Sequence, residues 1–184
     1  MKSILKSLIL FMAVSHSITA GAQEVQPMLG QKAPSFALND LDGKMYSLEQ
    51  FKGKYIVIHF ATTWCPFCNA EAPHLEQLNK DYRDKGVVVF VVDVKEGKEL
   101  VEKSFGRFNF SFPVLLDADG TVSASYAPEG VQPDLERHEV PIASNLIIDK
   151  EGRISFYSLL NTTSFDAKLS KLKQKLDELI ESGI

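Results

Sequence analysis

Apolar runs along the chain predict a set of β-strands. Residues 55–60 (YIVIHF) and 87–94 (VVVFVVDV) are apolar almost throughout, which is typical of strands buried on both faces of a sheet. A third run, 112–117 (FPVLLD), is less regular. Residues 145–157 hold two apolar runs on either side of the turn sequence DKEG. This last pattern predicts a hairpin with Gly152 at a positive φ.

The intervening segments predict helices, with one further hairpin near the start. Apolar residues recur at three- and four-residue spacing in 66–84, weakly in 97–107, and clearly in a C-terminal segment, which indicates amphipathic helices. The C-terminal set is Phe165, Leu169, Leu172, Leu176 and Leu179. Alternating residues around Asp42-Gly43 predict a short hairpin. Residues 127–141, which include three prolines, are expected to form a surface loop.

Strands and helices therefore alternate along the chain and end in a hairpin followed by a helix. This order predicts an α/β fold whose mixed central sheet, parallel first and antiparallel at its end, is flanked by helices, with an N-terminal hairpin extension. Residues 23–184 are long enough for one domain with a sizeable core and too short for two. We expect a single domain.

The first 22 residues, 1–22, have the organisation of a signal peptide. Two lysines precede a short apolar run, 8–14, and small residues end at Ala22. We expect cleavage before Gln23 and export of the domain 23–184, to the periplasm or an equivalent compartment. The alternative is a membrane anchor that stays attached, but the apolar run is well short of the roughly 20 residues that span a bilayer.

The charge of the chain argues against nucleic acid as a partner. The whole chain carries 20 basic and 24 acidic residues, and the predicted signal peptide holds two lysines and no acid. The remaining chain therefore has 18 basic and 24 acidic residues, a net charge of −6. Because phosphate backbones bind basic surfaces, we expect no nucleic-acid partner.

The only two cysteines of the chain, Cys65 and Cys68, stand three positions apart. Disulfides persist in exported proteins, yet a domain of this size can be stable on its hydrophobic core alone. A bridge between these two positions would close almost no loop and would stabilise the fold little. The pair is therefore better explained by chemistry than by stability.

The predicted helix 66–84 begins directly after Cys65. Pro66 stands at the first helical position, where its missing N–H would be unpaired in any case. The N–H groups and the macrodipole of a helix N-terminus favour a thiolate, so we expect a lowered pKa for Cys65. An accessible Cys65 can then attack a target disulfide, and the more buried Cys68, one turn later, can resolve the mixed disulfide. The same steps in reverse oxidise a substrate.

Zinc binding, haem attachment and inert burial each account for the cysteine pair less well. A zinc site needs two more ligands, and outside the signal peptide the chain offers only His59, His74 and His138. Covalent haem needs a histidine directly after the second cysteine, where Asn69 stands. Two inert thiols would place a Cys-Pro-x-Cys sequence at a strand-to-helix junction by coincidence. We therefore expect neither a metal nor a cofactor.

The stretch FATTWCPFCNAEAP resembles the active-site region of the thioredoxin superfamily. The stretch before it, APSFALNDLDGKMYSLEQFKGKYIVIHF, resembles the exported TlpA/ResA-type thiol-disulfide oxidoreductases. The resemblance implies a thioredoxin-like fold, Cys65 as the nucleophile of a redox-active disulfide with Cys68, and a kink at Pro73, which agrees with the general effect of proline inside helices. It also implies protein thiols or disulfides as substrates and a membrane partner that recharges the protein as a reductant.

Three neighbours of the cysteines could tune their chemistry. Glu71 lies three residues after Cys68, on the same helix face. In ResA-like proteins an acid at the matching position is linked to proton transfer at the second cysteine, which a partly buried carboxyl with a raised pKa could perform. The alternative is an ordinary acid in the first turn of a helix. His59, where cytoplasmic thioredoxins carry a buried acid, is either a base or a hydrogen-bonded core histidine, and family position suggests that Trp64 faces the substrate.

The loop expected to dock substrates departs from the family pattern. Thioredoxin-like proteins place a cis-proline loop beside the cysteines, and in TlpA-like sequences this proline lies six residues before the Asp of the following strand. Ala143 stands there, and Pro141 is two residues too early. We expect a trans bond between Ile142 and Ala143, since a cis bond before a non-proline residue costs roughly 2.5–4 kcal/mol. We also expect Ile142, Ala143 and Ser144 to face Cys65, unless a bulge brings Pro141 to the site.

The sequence thus favours an exported thiol-disulfide oxidoreductase that acts on proteins through a Cys-Pro-Phe-Cys motif, as a reductant with a narrow partner range. One alternative is a peroxiredoxin-like thiol peroxidase, because Thr62-x-x-Cys65 matches half of the Pro-x-x-x-Thr-x-x-Cys motif, although Ile58 replaces the proline. A second is a binding module whose dithiol senses or holds a partner without turnover.

Overall fold

The computed structural model describes residues 28–183, so the signal peptide predicted for 1–22 lies outside the described residues. Within that range, the helices are all too short or too polar to cross a membrane. The strands are β1 (Ala37–Asp40), β2 (Met45–Ser47), β3 (Tyr55–Ala61), β4 (Val87–Val94), β5 (Val114–Asp117), β6 (Asn145–Ile148) and β7 (Ile154–Ser158). The helices are α1 (Pro66–Tyr82), α2 (Lys98–Phe105), α3 (Thr121–Ser125) and α4 (Ser170–Ser182).

The strands form one mixed sheet in the order β2-β1-β5-β4-β3-β6-β7. Strands β3, β4 and β5 are parallel, whereas β6 and β7 add antiparallel to one edge and β1 and β2 to the other. Every residue of β3 is buried, as its continuous apolar run predicts. The predicted α/β fold, the central mixed sheet and the N-terminal hairpin are confirmed.

One helical prediction needs correction, and one short helix was not predicted. The apolar period that begins at Phe165 predicts a helix from that point, but α4 begins only at Ser170, because Leu169 has a left-handed backbone with φ 57°. Helix α3 was not predicted, since it is a single short turn after Gly120. The Asp117 carboxylate accepts hydrogen bonds from backbone N–H groups of this turn.

The alternation of side chains along β3 decides which residues lie beside the cysteines. Val57 and Ala61 belong to the same buried cluster as both cysteines, whereas Ile56, Ile58 and Phe60 pack on the other face. His59 is in phase with Val57 and Ala61, so it lies on the cysteine-bearing face. Its partner in the antiparallel register is Asn145 of β6. The sheet therefore places a histidine and an amide side by side beneath α1.

Candidate active site

Cys65 caps the N-terminus of α1, and Pro66 occupies the first helical position. Both thiols are free, and the Cys65 sulfur accepts a hydrogen bond from the Cys68 backbone N–H at 3.2 Å. A hydrogen bond from the Cys68 thiol, partly opposed by burial, lowers the pKa of Cys65 to about 7. That same hydrogen bond, together with burial, raises the pKa of Cys68. The pKa of Cys65 is lowered, as expected from its position at a helix N-terminus. The largest cause, however, is the hydrogen bond from Cys68.

The expectation of an accessible Cys65 is wrong. Cys65 is only 3% exposed, and Cys68 is 2% exposed. The cause is tertiary packing: Cys65 shares a buried cluster with Ala143, and the partly buried Phe67 and Ile142 pack against this cluster. Trp64, in contrast, is 67% exposed, so a large apolar surface lies next to a nearly covered sulfur.

Glu71 is a buried acid, which contradicts the alternative of an ordinary first-turn acid. The residue is 3% exposed, and its Oε1 accepts a hydrogen bond of 3.0 Å from the Asn145 side-chain amide. Its Oε2 lies 3.3 Å from Nδ1 of His59. Burial, partly offset by the Asn145 hydrogen bond, raises the pKa of Glu71 to about 8. A carboxyl with this pKa can exchange a proton near neutral pH.

His59 is a hydrogen-bonded core histidine that also contacts the buried acid. It is 1% exposed, and its Nδ1 lies 3.0 Å from the side-chain oxygen of Asn145. Burial, partly offset by hydrogen bonds to Asn145 and Ser144, lowers the pKa of His59 to about 4. The ring is therefore neutral at physiological pH and has one nitrogen able to accept a proton.

Asn145 links Glu71 to His59, and no sequence pattern indicated this role. Asparagine at the start of a strand is ordinary in sequence, and its function here depends on the register between β3 and β6. The signal that would have found it is the pairing of a buried histidine with a polar residue on a neighbouring strand. The three side chains of His59, Asn145 and Glu71 form one buried polar group, here called the His–Asn–Glu network.

The loop before Cys65 is held by Glu96, an acid that was not predicted, and Asp93 lies near Glu96. The Glu96 carboxylate accepts hydrogen bonds from the Thr63 backbone N–H and, at 2.7 Å, from its hydroxyl. Asp93, near the end of β4, is fully buried, and among the described residues neither of its oxygens has a hydrogen-bond partner. Burial and the nearby Glu96 carboxyl raise the pKa of Asp93 to about 8.

The segment Ile142–Ser144 has the trans bond that was expected, since residues 28–183 contain no cis peptide bond. Ala143 adopts φ 61° and donates its N–H to the Phe60 carbonyl at 2.8 Å. The N–H groups of Ile142 and Ser144 bond to the carbonyls of Glu139 and Pro141. It is therefore Ala143, and not Pro141, that joins this segment to the end of β3. The kink at Pro73, which lies inside α1, and the orientation of the loop toward Cys65 stay predictions.

The chain resembles proteins of known family. The AhpC/TSA family profile matches residues 29–157. The chain is 32% identical over 149 residues to the thiol-disulfide oxidoreductase ResA of Bacillus cereus, covering 80% of each chain. It is 32% identical to ResA of Geobacillus thermodenitrificans, covering 80% of this chain and 79% of the relative. The solved thioredoxin domain of a thiol-disulfide oxidoreductase from Bacteroides vulgatus is 25% identical, with a TM-score of 0.62 over 79% of this chain and 96% of that domain. The chain therefore belongs to the AhpC/TSA family and to the ResA-like thiol-disulfide oxidoreductases of thioredoxin-like fold.

Proposed function

We propose that this oxidoreductase is exported and reduces disulfides of protein substrates through Cys65 and Cys68. The observation that supports it best is the inequality of the two thiols: the pKa of Cys65 is lowered to about 7, while that of Cys68 is raised. A low-pKa thiol is the attacking sulfur in thiol-disulfide exchange. The relatives named thiol-disulfide oxidoreductase ResA support the reaction class.

The proposed reaction has two exchange steps. The Cys65 thiolate attacks a substrate disulfide, the substrate S–S bond breaks, and one substrate sulfur leaves as a thiolate that takes up a proton. The Cys68 thiol then loses its proton, attacks the Cys65 sulfur and releases the second substrate thiol. The substrate gains two electrons, and the protein is left with a Cys65–Cys68 disulfide. In this proposal Glu71 receives the proton that Cys68 loses, and a membrane partner reduces the protein again.

The proposed docking surface consists of Trp64 and the segment Ile142–Ser144. Trp64 offers exposed apolar area beside the reacting sulfur. The N–H groups of Ile142, Ala143 and Ser144 are already hydrogen-bonded within the protein, so an extended substrate cannot pair with them. This supports a narrower partner range than that of a general thioredoxin. We expect slower insulin reduction than an equal concentration of a general thioredoxin gives.

The test is turnover of insulin with dithiothreitol as the reductant. We expect wild type to reduce insulin catalytically and the Cys65→Ser variant to be inactive. Cys68→Ser should trap substrates as stable mixed disulfides, because the resolving thiol is missing. Trapping by Cys65→Ser in place of Cys68→Ser would contradict the assignment, and binding without turnover would indicate a binding module.

A peroxide assay separates this proposal from a thiol peroxidase. Hydrogen peroxide consumption with thiol recycling should stay at the rate of the recycling thiol alone. Rapid peroxide consumption that depends on Cys65 would favour the peroxidase instead.

A further inference from the structure

The proton on Cys68 has no evident route out of the protein. In the dithiol state this proton forms the hydrogen bond that lowers the pKa of Cys65. Once Cys65 is part of a mixed disulfide, Cys68 must lose the proton before it can attack. Cys68 is 2% exposed, and the hydrogen bond from its sulfur to the Phe60 carbonyl is a long one, 4.0 Å. Bulk water is thus an unsuitable acceptor, and an internal one is required.

His59 shares a small cavity with Cys68, and its ring also lies against Glu71. The imidazole and Cys68 line the same small cavity, whose other walls are apolar side chains from β3, α1, β4 and α2 and the segment after α2. Among the described residues, Nε2 of His59 is buried without a hydrogen-bond partner. Nδ1, on the other side of the ring, faces the Asn145 oxygen at 3.0 Å and the Glu71 oxygen at 3.3 Å. A base oriented by a carboxylate through one nitrogen, with its other nitrogen unoccupied, is the usual way to activate a nucleophile.

The hydrogen bonds of Asn145 determine which nitrogen of His59 carries the proton. With the Asn145 oxygen toward Nδ1 and its NH₂ toward Glu71, the proton must be on Nδ1, because an amide oxygen can only accept. Nε2 then has a lone pair. If Glu71 is protonated and donates to the Asn145 oxygen, the amide must be reversed. Its NH₂ then donates to Nδ1, and the histidine proton moves to Nε2.

We propose that His59 is a relay between Cys68 and Glu71, and that Asn145 couples the tautomer of His59 to the ionisation of Glu71. The Cys68 S–H bond breaks as an Nε2–H bond forms, while the Nδ1–H bond breaks as a Glu71 O–H bond forms. One negative charge moves from the carboxylate to the sulfur, and no electron leaves the protein. Reversal of the Asn145 amide stabilises the product state. This inference rests on the proposed role of Cys68 as the resolving thiol.

Other charged groups around the network set the pH at which it operates. Burial, together with the charges of Cys65 and Asp166, raises the pKa of Glu71 to about 8. Asp166 and Lys171 line a groove that reaches Glu71 and Asn145. This groove gives the proton on Glu71 a path to solvent. The relay should therefore accept the Cys68 proton most readily above about pH 8, where Glu71 is ionised.

The first test uses dithiobis(nitrobenzoate) with the reduced protein. Attack by Cys65 releases one thionitrobenzoate, and attack by Cys68 on the resulting mixed disulfide releases a second, so stopped-flow absorbance separates the two steps. We expect His59→Leu to slow the second phase by about a hundredfold, the usual size of general acid–base effects, and to leave the first phase unchanged. His59→Leu combined with Glu71→Gln should be no slower than either single variant, whereas multiplied effects would overturn the relay. His74→Asn, on the partly exposed side of α1, is the control.

The second test needs no variant and so does not depend on whether His59→Leu folds. Long-range nitrogen–proton NMR spectra of the wild-type protein distinguish the two tautomers of His59. We expect the proton on Nδ1 above about pH 8 and on Nε2 below it. One tautomer across the whole transition of Glu71 would overturn the proposal. Failure of the proposed function would look different, because the second thionitrobenzoate would then be released independently of Cys68.

Discussion

Two buried carboxylic acids, Glu71 and Asp93, share a raised pKa of about 8 but have opposite surroundings. Burial is the largest cause of the raised pKa in both residues. Glu71 receives a hydrogen bond from Asn145, lies against His59, and lines a surface groove. The neighbour of Asp93 is instead a second carboxyl, that of Glu96, which raises the pKa of Asp93 further. A raised pKa alone therefore does not identify the acid that takes part in the reaction.

The surroundings assign different roles to the two acids. Glu71 has a neutral base on one side and a groove on the other, so it can receive a proton from within the protein and release it to solvent. Asp93 is protonated at neutral pH and lies beside the carboxylate that fixes Thr63, two residues before Cys65. We infer that Glu71 moves protons during the reaction and that Asp93 stabilises the loop that presents Cys65.

The largest expected effect separates the two acids by rate. Glu71→Gln cannot accept a proton, so the second thionitrobenzoate phase should slow by about a hundredfold and lose its rise near pH 8. Asp93→Asn should leave the rate and the pH profile of this phase unchanged, because the hydrogen bonds and ion pairs of the His–Asn–Glu network, as described for residues 28–183, do not include Asp93. Stopped-flow traces of both variants across pH 6 to 10 measure the rate of this phase and test the difference between the two acids. If Asp93→Asn slows the second phase as much as Glu71→Gln does, the distinction between the two acids fails.

The sequence was sufficient to predict the central fold because long apolar runs mark buried strands whatever their neighbours are. It was also sufficient to place Cys65 and Pro66 at a helix N-terminus, because that placement depends on local spacing. Asn145 and Asp93 could not be predicted in the same way. Their importance comes from the strand register and from burial, which bring together groups far apart in the chain.

Two wrong expectations have the same origin. Spacing correctly places Cys65 at the helix N-terminus, but it carries no information on the tertiary packing that buries Cys65 in the same cluster as Ala143. Similarly, the apolar period from Phe165 continues through a residue at φ 57°, Leu169, where no helix can run. Periodicity records which side chains are buried, and burial also occurs in packed loops.

The second prediction concerns the pH-dependent contribution of Asp93 to the free energy of unfolding. Its pKa in the folded protein, about 8, lies above the ordinary value of 3.8, so the folded state binds the proton more tightly. The stability from this group is complete below about pH 4 and is lost as the pH rises to about 8. We expect the free energy of unfolding of Asp93→Asn, relative to wild type, to increase by about 2 kcal/mol between pH 6.5 and 8.

Urea unfolding at both pH values measures this difference. His59, whose pKa is lowered from 6.5, still titrates in the unfolded state at the lower end of this window. Its contribution is the same in wild type and in Asp93→Asn, so it cancels in the difference. Glu71→Gln should show a pH-dependent gain of the same sign, since the pKa of Glu71 is also raised. A difference between Asp93→Asn and wild type that is constant with pH would show that Asp93 is ionised in the folded protein.

The third prediction concerns the hydrogen bonds that Glu96 makes to Thr63. Glu96→Gln keeps the shape of the side chain but removes the charge that strengthens both bonds, so the free energy of unfolding should fall by about 1 kcal/mol. The same change should lower the pKa of Asp93, because a negative neighbour is lost. Denaturant unfolding at pH 6.5 gives the first effect, with Glu99→Gln on the exposed face of α2 as the control. A larger loss for Glu99→Gln would contradict the role given to Glu96.

The smallest expected effect comes from the wall of the groove at Glu71. Phe165 lines this groove and packs edge-on against Phe67 of the Cys-Pro-Phe-Cys motif, with ring centroids 4.9 Å apart. Burial is the main cause of the raised pKa of Glu71. Because Phe165→Ala should admit water to the groove, it should lower this pKa. The midpoint of the second thionitrobenzoate phase should therefore move to lower pH by less than about 1 unit, and the lost ring pair should cost about 1 kcal/mol of stability.

Phe165→Tyr, which retains the ring, should leave the midpoint in place. Because Asp93 does not line this groove, its stability profile should not change, and an equal shift of both acids would show that they share one solvent path.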